Sequence, residues 1–187
     1  AAFAGNRYEM GVNLFSPKRS AVTADGLGGL MDTKSDSNYF LVPEFGYNKV
    51  INDQMTLGVS VYGNGGMNTD YKNGIPLFNQ TGKRTGVDLI QLFIAPTATW
   101  KINSANTVGV TVNLAYQRFE AKGLQNFDNP DPNNPSSSSK GNVTNRGHDH
   151  AYGAGLHLGW IGKVNDAVTL GATYQTKTYM TKFDKYK

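Results

Sequence analysis

Trp100-Lys101-Ile102-Asn103-Ser104-Ala105-Asn106-Thr107-Val108-Gly109-Val110-Thr111-Val112-Asn113-Leu114-Ala115-Tyr116 is the stretch whose reading decides the fold. After the polar break at 102–106, Val108, Val110, Val112, Leu114 and Tyr116 alternate with Gly109, Thr111, Asn113 and Gln117. Before it, Ile90, Leu92, Ile94, Ala98 and Trp100 alternate with Gln91, Phe93, Ala95, Thr97 and Thr99. Side chains of a strand point to opposite faces in turn, so each arm reads as a β-strand with one aliphatic face and one small, polar face. The arms, about 85–101 and 107–119, exceed the roughly 5–6 residues of an ordinary soluble strand and the roughly 9–11 that a tilted strand needs to cross a bilayer. The pattern predicts a long antiparallel hairpin whose apolar face meets lipid and whose polar face lines a lumen.

The same plan repeats outward from this hairpin. Segments at 7–15, 39–49, 55–62, about 150–163 and 167–180 alternate in the same way, for seven strands in all. Asn52, Asn103 and Asn165 each stand six residues before Gly58, Gly109 and Gly171, with Thr or Ser two residues either side of each glycine. The connections at 51–54, 102–106 and 164–166 are short, and those at 16–38, 63–84 and 120–147 are long and polar. The last of these holds Asn129-Pro130-Asp131-Pro132 and Ser136–Ser139, a composition that buries no core. Short turns at one end and long loops at the other is the plan of an up-and-down transmembrane β-barrel. Tyr47, Trp100 and Trp160 precede the three short turns on the apolar face, where one aromatic girdle at a membrane–water boundary is expected. A soluble β-sandwich binding module is the alternative, since any hairpin protein repeats its hairpin.

Composition narrows the chemistry. The 187 residues include 22 Gly and 10 Tyr, no Cys and three His, with 17% charged and a net charge of +4. Thiolate nucleophiles, disulfides and Cys-ligated zinc are excluded, and the basic residues form no block suited to nucleic acid. A run long and apolar enough for a membrane helix is absent, which says nothing against a barrel. His148 and His150 lack a third metal ligand, so no metal and no cofactor is expected. Glu9 and Glu44 face the lumen and are expected to pair with inward bases such as Lys101 or Lys177, or to face water. With no phosphate loop or nucleophile elbow in view, the chain is not read as an enzyme. Asn79-Gln80-Thr81 and Asn142-Val143-Thr144 are sequons by spelling alone.

Val42-Pro43-Glu44-Phe45-Gly46-Tyr47, Ile51-Asn52-Asp53-Gln54, Leu57-Gly58-Val59-Ser60-Val61 and Gly66-Met67-Asn68-Thr69-Asp70-Tyr71 together resemble the FadL/TodX outer-membrane transport family. The hairpins at 89–116 and 152–178 are similar to later hairpins of the same barrel. The resemblance implies a 14-stranded barrel plugged by an N-terminal hatch, in the outer membrane of a Gram-negative bacterium. Residues 1–187 would form a single partial all-β domain of about seven strands, with the hatch and the C-terminal strands outside the chain. The function implied is passive transport of long-chain fatty acids or other hydrophobic compounds through the lumen, with lateral exit. Its partners would be outer-membrane lipid, a hydrophobic small molecule and the remaining part of the barrel, with no nucleic acid. The competing function is a non-transporting surface barrel, of adhesin or receptor type, whose long loops bind a partner.

Four sets of candidate residues follow. Phe15, Phe40, Val42 and Phe93 are apolar on an otherwise polar inner face, so they line a ligand pocket or pack against the hatch. The resemblance matches Gly63, Asn64, Gly65 and Gly66 to the inward kink of the family's third strand, which opens the wall sideways; a plain strand-to-loop turn is the other reading. Arg118 and Lys122 match positions for contact with a fatty-acid carboxylate, or are solvated rim charges. Leu124 and Phe127, in the loop that follows, form a candidate greasy capture patch.

Overall fold

The computed structural model describes residues 5–24, 28–78, 83–128 and 141–187. The opening Ala1–Ala4, the Asn79-Gln80-Thr81 sequon and the Pro- and Ser-rich stretch at 129–140 lie outside the described residues. Strands are β1 (Arg7–Phe15), β2 (Ser20–Ala24), β3 (Leu30–Lys34), β4 (Phe40–Val50), β5 (Met55–Tyr71), β6 (Thr85–Lys101), β7 (Asn106–Lys122), β8 (Asp149–Lys163), β9 (Thr169–Gln175) and β10 (Tyr179–Met180). β1, β4, β5, β6, β7 and β8 follow one another as antiparallel neighbours in a single curved wall, and β9 and β10 both pair with β8. The last two are halves of one strand: Gln175 faces His157 while Tyr179 faces Ala154, so one extra residue bulges between them. Seven wall strands result, as the alternation predicts. β2 and β3 form a separate hairpin within the first long connection.

Three short turns at one end are built alike. The Oδ1 of Asn52 accepts the N–H groups of Gln54 and Met55 at 2.9 and 2.8 Å. Asn103 does the same for Ala105 and Asn106 at 2.9 and 2.8 Å, and Asn165 for Ala167 and Val168 at 2.9 Å each. Asn is selected because its short amide closes the turn in place of a backbone carbonyl. Each turn thereby fixes the register of its hairpin, and with it which residues face inward.

The inner face carries Thr56, Thr99, Thr107 and Asn113, all buried, with small Ala95, Ala115 and Ala151 between them. Thr97 and Thr111 hydroxyls meet across it at 2.7 Å. The outer face carries Met10, Leu14, Val112, Leu114, Leu156 and Leu158, all exposed, the apolar outward band expected of a transmembrane barrel. Trp100, Val108 and Trp160 are successive ladder partners at the turn end, and Leu92, Tyr116 and Tyr152 are partners nearer the loop end. The nine residues from Val108 to Tyr116 on β7 span about 27 Å along a strand. Tilted by about 40°, that rise of about 20 Å plus the aromatic rows at its ends fits an apolar band about 25 Å tall.

The long connections are shorter than expected at two points. β5 runs on to Tyr71 through the stretch read as a loop at 63–84, and β7 reaches Lys122. Alternation is interrupted at Gly63–Gly66 and resumes in the opposite phase, which conceals the strand from a period-two reading.

Candidate functional site

The β5–β6 ladder runs from Met55↔Trp100 to Tyr71↔Thr85 and shifts register between Gly63 and Gly65. Asn64 is the extra residue, and its Nδ2 donates to Gln91 Oε1 at 2.6 Å. Before the bulge, Leu57, Val59 and Val61 point outward; after it, Gly66, Asn68 and Asp70 do, since one inserted residue exchanges the faces. Gly63, Gly65 and Gly66 are absent from the positive-φ residues, so no special backbone conformation demands them, but a Cβ at Gly66 would lie 3.0 Å from Leu89 O. A Cβ at Gly65 meets nothing within 4 Å, and one at Gly63 meets Val42 Cγ1 at 3.1 Å.

The wall parts at this bulge. β4 pairs with β5 from Val50↔Thr56 to Glu44↔Tyr62 and no further, whereas β4 stays paired with β1 up to Phe40↔Phe15. Above Glu44 and Tyr62 the outer halves of β4 and β5 therefore belong to different flanks of a fork. Pro43, which has no N–H to donate, is the first residue of β4 beyond the last pair. Leu41 and Pro43 stand on the outward side of the β4 flank, and Phe40 and Val42 on the lumen side.

Each flank carries an aromatic pair facing the lumen. Phe15 and Phe40 approach to 6.4 Å between ring centroids, with the Arg19 guanidinium 5.4 Å from the Phe40 centroid. Phe93, 4% exposed, meets Tyr62 edge-on at 5.8 Å. Phe15, Phe40, Val42 and Phe93 thus share the inner face around the fork, and Tyr62 joins them. Glu44 stands at the point where the strands part.

Arg118 and Lys122 are on the other side of the wall. Arg118 lies three residues from buried, inward Ala115, an odd offset that turns it outward with Leu114 and Tyr116. Its Nη2 is 2.8 Å from Asp88 Oδ2, and Lys122 Nζ is 3.0 Å from Glu120 Oε2. His148 Nε2 bridges the two acids, at 2.9 Å from Asp88 Oδ2 and 3.3 Å from Glu120 Oε2. Asn68 adds a hydrogen bond of 2.9 Å to Asp88. The result is a charge-matched collar above Tyr116 and Tyr152, apart from the lumen set. His150 stacks on Tyr116 at 5.8 Å and shares a 2.8 Å hydrogen bond with its hydroxyl.

Leu124 and Phe127 lie at the loop end. Phe127, exposed, packs on Phe78 at 5.4 Å, while Asn126 donates from its N–H to Phe78 O and from Nδ2 to Leu77 O at 3.1 and 2.9 Å. Those bonds join the loop after β7 to the loop after β5, so that exposed Leu77 extends the patch of Phe78 and Phe127. Leu124 N–H is held by Thr144 Oγ1 at 3.1 Å.

The family profile described as "Outer membrane protein transport protein (OMPP1/FadL/TodX)" matches residues 6–187. The chain belongs to this family. Among solved structures, the toluene transporter TodX of Pseudomonas putida superposes with a TM-score of 0.71 at 21% identity, covering 96% of this chain and 49% of that one. A TodX ΔS2S3 mutant, a monoaromatic hydrocarbon channel, gives 0.67 at 19% identity, covering 95% and 48%. A Pseudomonas aeruginosa FadL homologue gives 0.52 at 15% identity, covering 91% and 42%. No curated protein sequence matches significantly. The chain spans about half the length of the solved relatives, and its fold is part of an outer-membrane β-barrel of the FadL/TodX family.

Within this family member, sequence reasoning passes over three features of the site. Tyr62 reads as the end of a short strand rather than as the partner of Phe93. Leu77 and Phe78 fall in a loop with no periodic signal, and only Asn126 betrays their docking. The carboxylates expected to share inward bases differ from one another. Glu9 is ion-paired with Arg7, but among the described residues Glu44 has no ion-pair partner.

Proposed function

We propose that the whole protein conducts hydrophobic small molecules passively across the outer membrane, taking them into the barrel lumen and releasing them sideways through the fork between β4 and β5. The observation that carries this reading is the end of the β4–β5 ladder at Glu44↔Tyr62, directly beside the bulge at Asn64. Open strand edges are tolerated at membrane depth only where they border a cavity. A wall that parts beside Phe40, Val42, Tyr62 and Phe93 has an apolar lumen surface on one side and lipid on the other. A hydrophobic cargo passing between them need never enter bulk water. The patch of Leu77, Phe78 and Phe127 at the loop end supplies a first greasy contact, with Leu124 beside it. Aromatic rings and long acyl chains both suit so apolar a lumen surface, and toluene is the cargo of the solved relative from P. putida.

Two edges, at β1 and at β9–β10, have no partner among the described residues. In lipid these edges require further strands, which the remaining part of the barrel would supply.

The test is uptake by the full-length protein. Expressed in a Gram-negative host lacking its own transporters of this type, it should raise the initial rate of radiolabelled toluene entry in a saturable way. A rate indistinguishable from that of a host carrying an unrelated, equally abundant porin would contradict the proposal.

A further inference from the structure

Charge is distributed unevenly between the two faces of the wall. On the wall strands, the described lysines and arginines that share lumen parity are Arg7, Lys101 and Lys163, all at the short-turn end. Arg7 is ion-paired with Glu9, and Lys163 with Asp166 at 3.0 Å. Nearer the loops, Arg118 and Lys122 point outward and are matched by Asp88 and Glu120. Glu44 does the opposite. It points into the lumen, is exposed there, and lies on the last β4–β5 pair, at the base of the fork. A Cβ built at Gly11, its ladder partner on β1, would meet Glu44 Oε1 at 2.5 Å, so the carboxylate lies across the glycine and is held within the wall's inner surface.

Building on the lateral-exit reading, we infer that Glu44 is a specificity-determining residue: its carboxylate filters the fork by charge, admitting uncharged hydrophobic molecules and turning back those that carry a carboxylate. The electrostatics are direct. A carboxylate cargo approaching Val42 and Tyr62 would bring its charge beside a like charge, whereas the Arg19 guanidinium lies over Phe40, four residues up the β4 flank from Glu44 at the loop end of the fork. Low-dielectric walls on either side focus that field rather than screen it. An uncharged cargo of the same length meets only the apolar flanks. Gly11 has no side chain to displace the carboxylate from this position.

The experiment compares 1-decanol with decanoate at pH 7.5, two probes with the same chain and different head charge. Entry of each radiolabelled probe is measured in cells expressing the full-length protein and its Glu44→Gln and Glu44→Lys variants at equal surface abundance. The wild-type protein should favour decanol by about tenfold, the lower end of what charge-lined clefts achieve. Glu44→Gln should reduce that preference severalfold and Glu44→Lys should abolish or reverse it, with decanoate entry changing far more than decanol entry in both. The change in ratio distinguishes a charge filter from a structural role, which would lower both rates together. Decanoate entry that is the same in all three proteins while decanol passes would overturn the filter and leave the transport reading standing. Entry of neither probe above the porin control, in any of the three, would overturn both.

Discussion

Replacing Gly63 and Gly65 together with valine should cut entry of an uncharged hydrophobic probe through the full-length protein by about tenfold or more, because overpacking of about 1–3 kcal/mol set against the passage of cargo slows it by about a factor of ten per 1.4 kcal/mol. A branched side chain at 63 is driven against Val42, whose Cγ1 would already be 3.1 Å from a Cβ there, and so fills the space between the flanks. At 65 the added atoms project into open space. The single Gly65→Val variant should therefore fold normally and retain an intermediate rate. Initial rates at equal surface abundance, with heat-modifiable migration on gels as the check on barrel folding, are the measurement. Wild-type entry through a correctly folded double variant would remove the fork from the transport route.

The second large effect concerns which face meets lipid. Val112 is midway between Val108 and Tyr116 on β7, on the outward face and beside Leu156. Val112→Arg should cost about 2–4 kcal/mol, the loss measured for a cationic side chain on the lipid face near the bilayer midplane. Thr111, the adjacent residue, faces the lumen and gives up a hydrogen bond to Thr97. Thr111→Arg should cost only about 1 kcal/mol. Urea unfolding of the full-length protein in lipid vesicles measures both. Equal costs, or a larger cost at 111, would mean that the inner and outer faces have been exchanged.

Most of the architecture is legible in the residues because two local signals agree. Period-two alternation around Asn103 marks long strands, and the asparagines at 52, 103 and 165 mark turns whose side chains take up the N–H groups two and three residues on. Register follows, and with it the inward placement of Phe15, Phe40, Val42 and Phe93. The outer half of β5 is hidden for a physical reason: one extra residue at Asn64 reverses the phase, and a pattern that changes phase reads as a pattern that stops. The outward direction of Arg118 follows from its odd offset from Ala115, but nearness to the lumen mouth suggests the reverse. Contacts between distant loops, such as Asn126 with Leu77, leave no trace in the local sequence. The parting of β4 from β5 is equally non-local. Pro43 and the glycines permit it, but only the ladder shows where pairing ends.

Residues 1–187 hold no cysteine, so a pair introduced across the fork meets no competing thiol among them and can close and reopen it in one protein. A Cβ built at Gly63 lies 3.1 Å from Val42 Cγ1, the branch that a cysteine sulfur at position 42 would occupy, which puts the two positions within bridging reach across the fork. In the full-length Val42→Cys, Gly63→Cys double variant, oxidation should stop entry of radiolabelled toluene and reduction by dithiothreitol should restore it, while each single variant ignores both treatments. Equal toluene entry in the oxidised and reduced forms, with the disulfide verified by mass spectrometry, would contradict a lateral exit between β4 and β5.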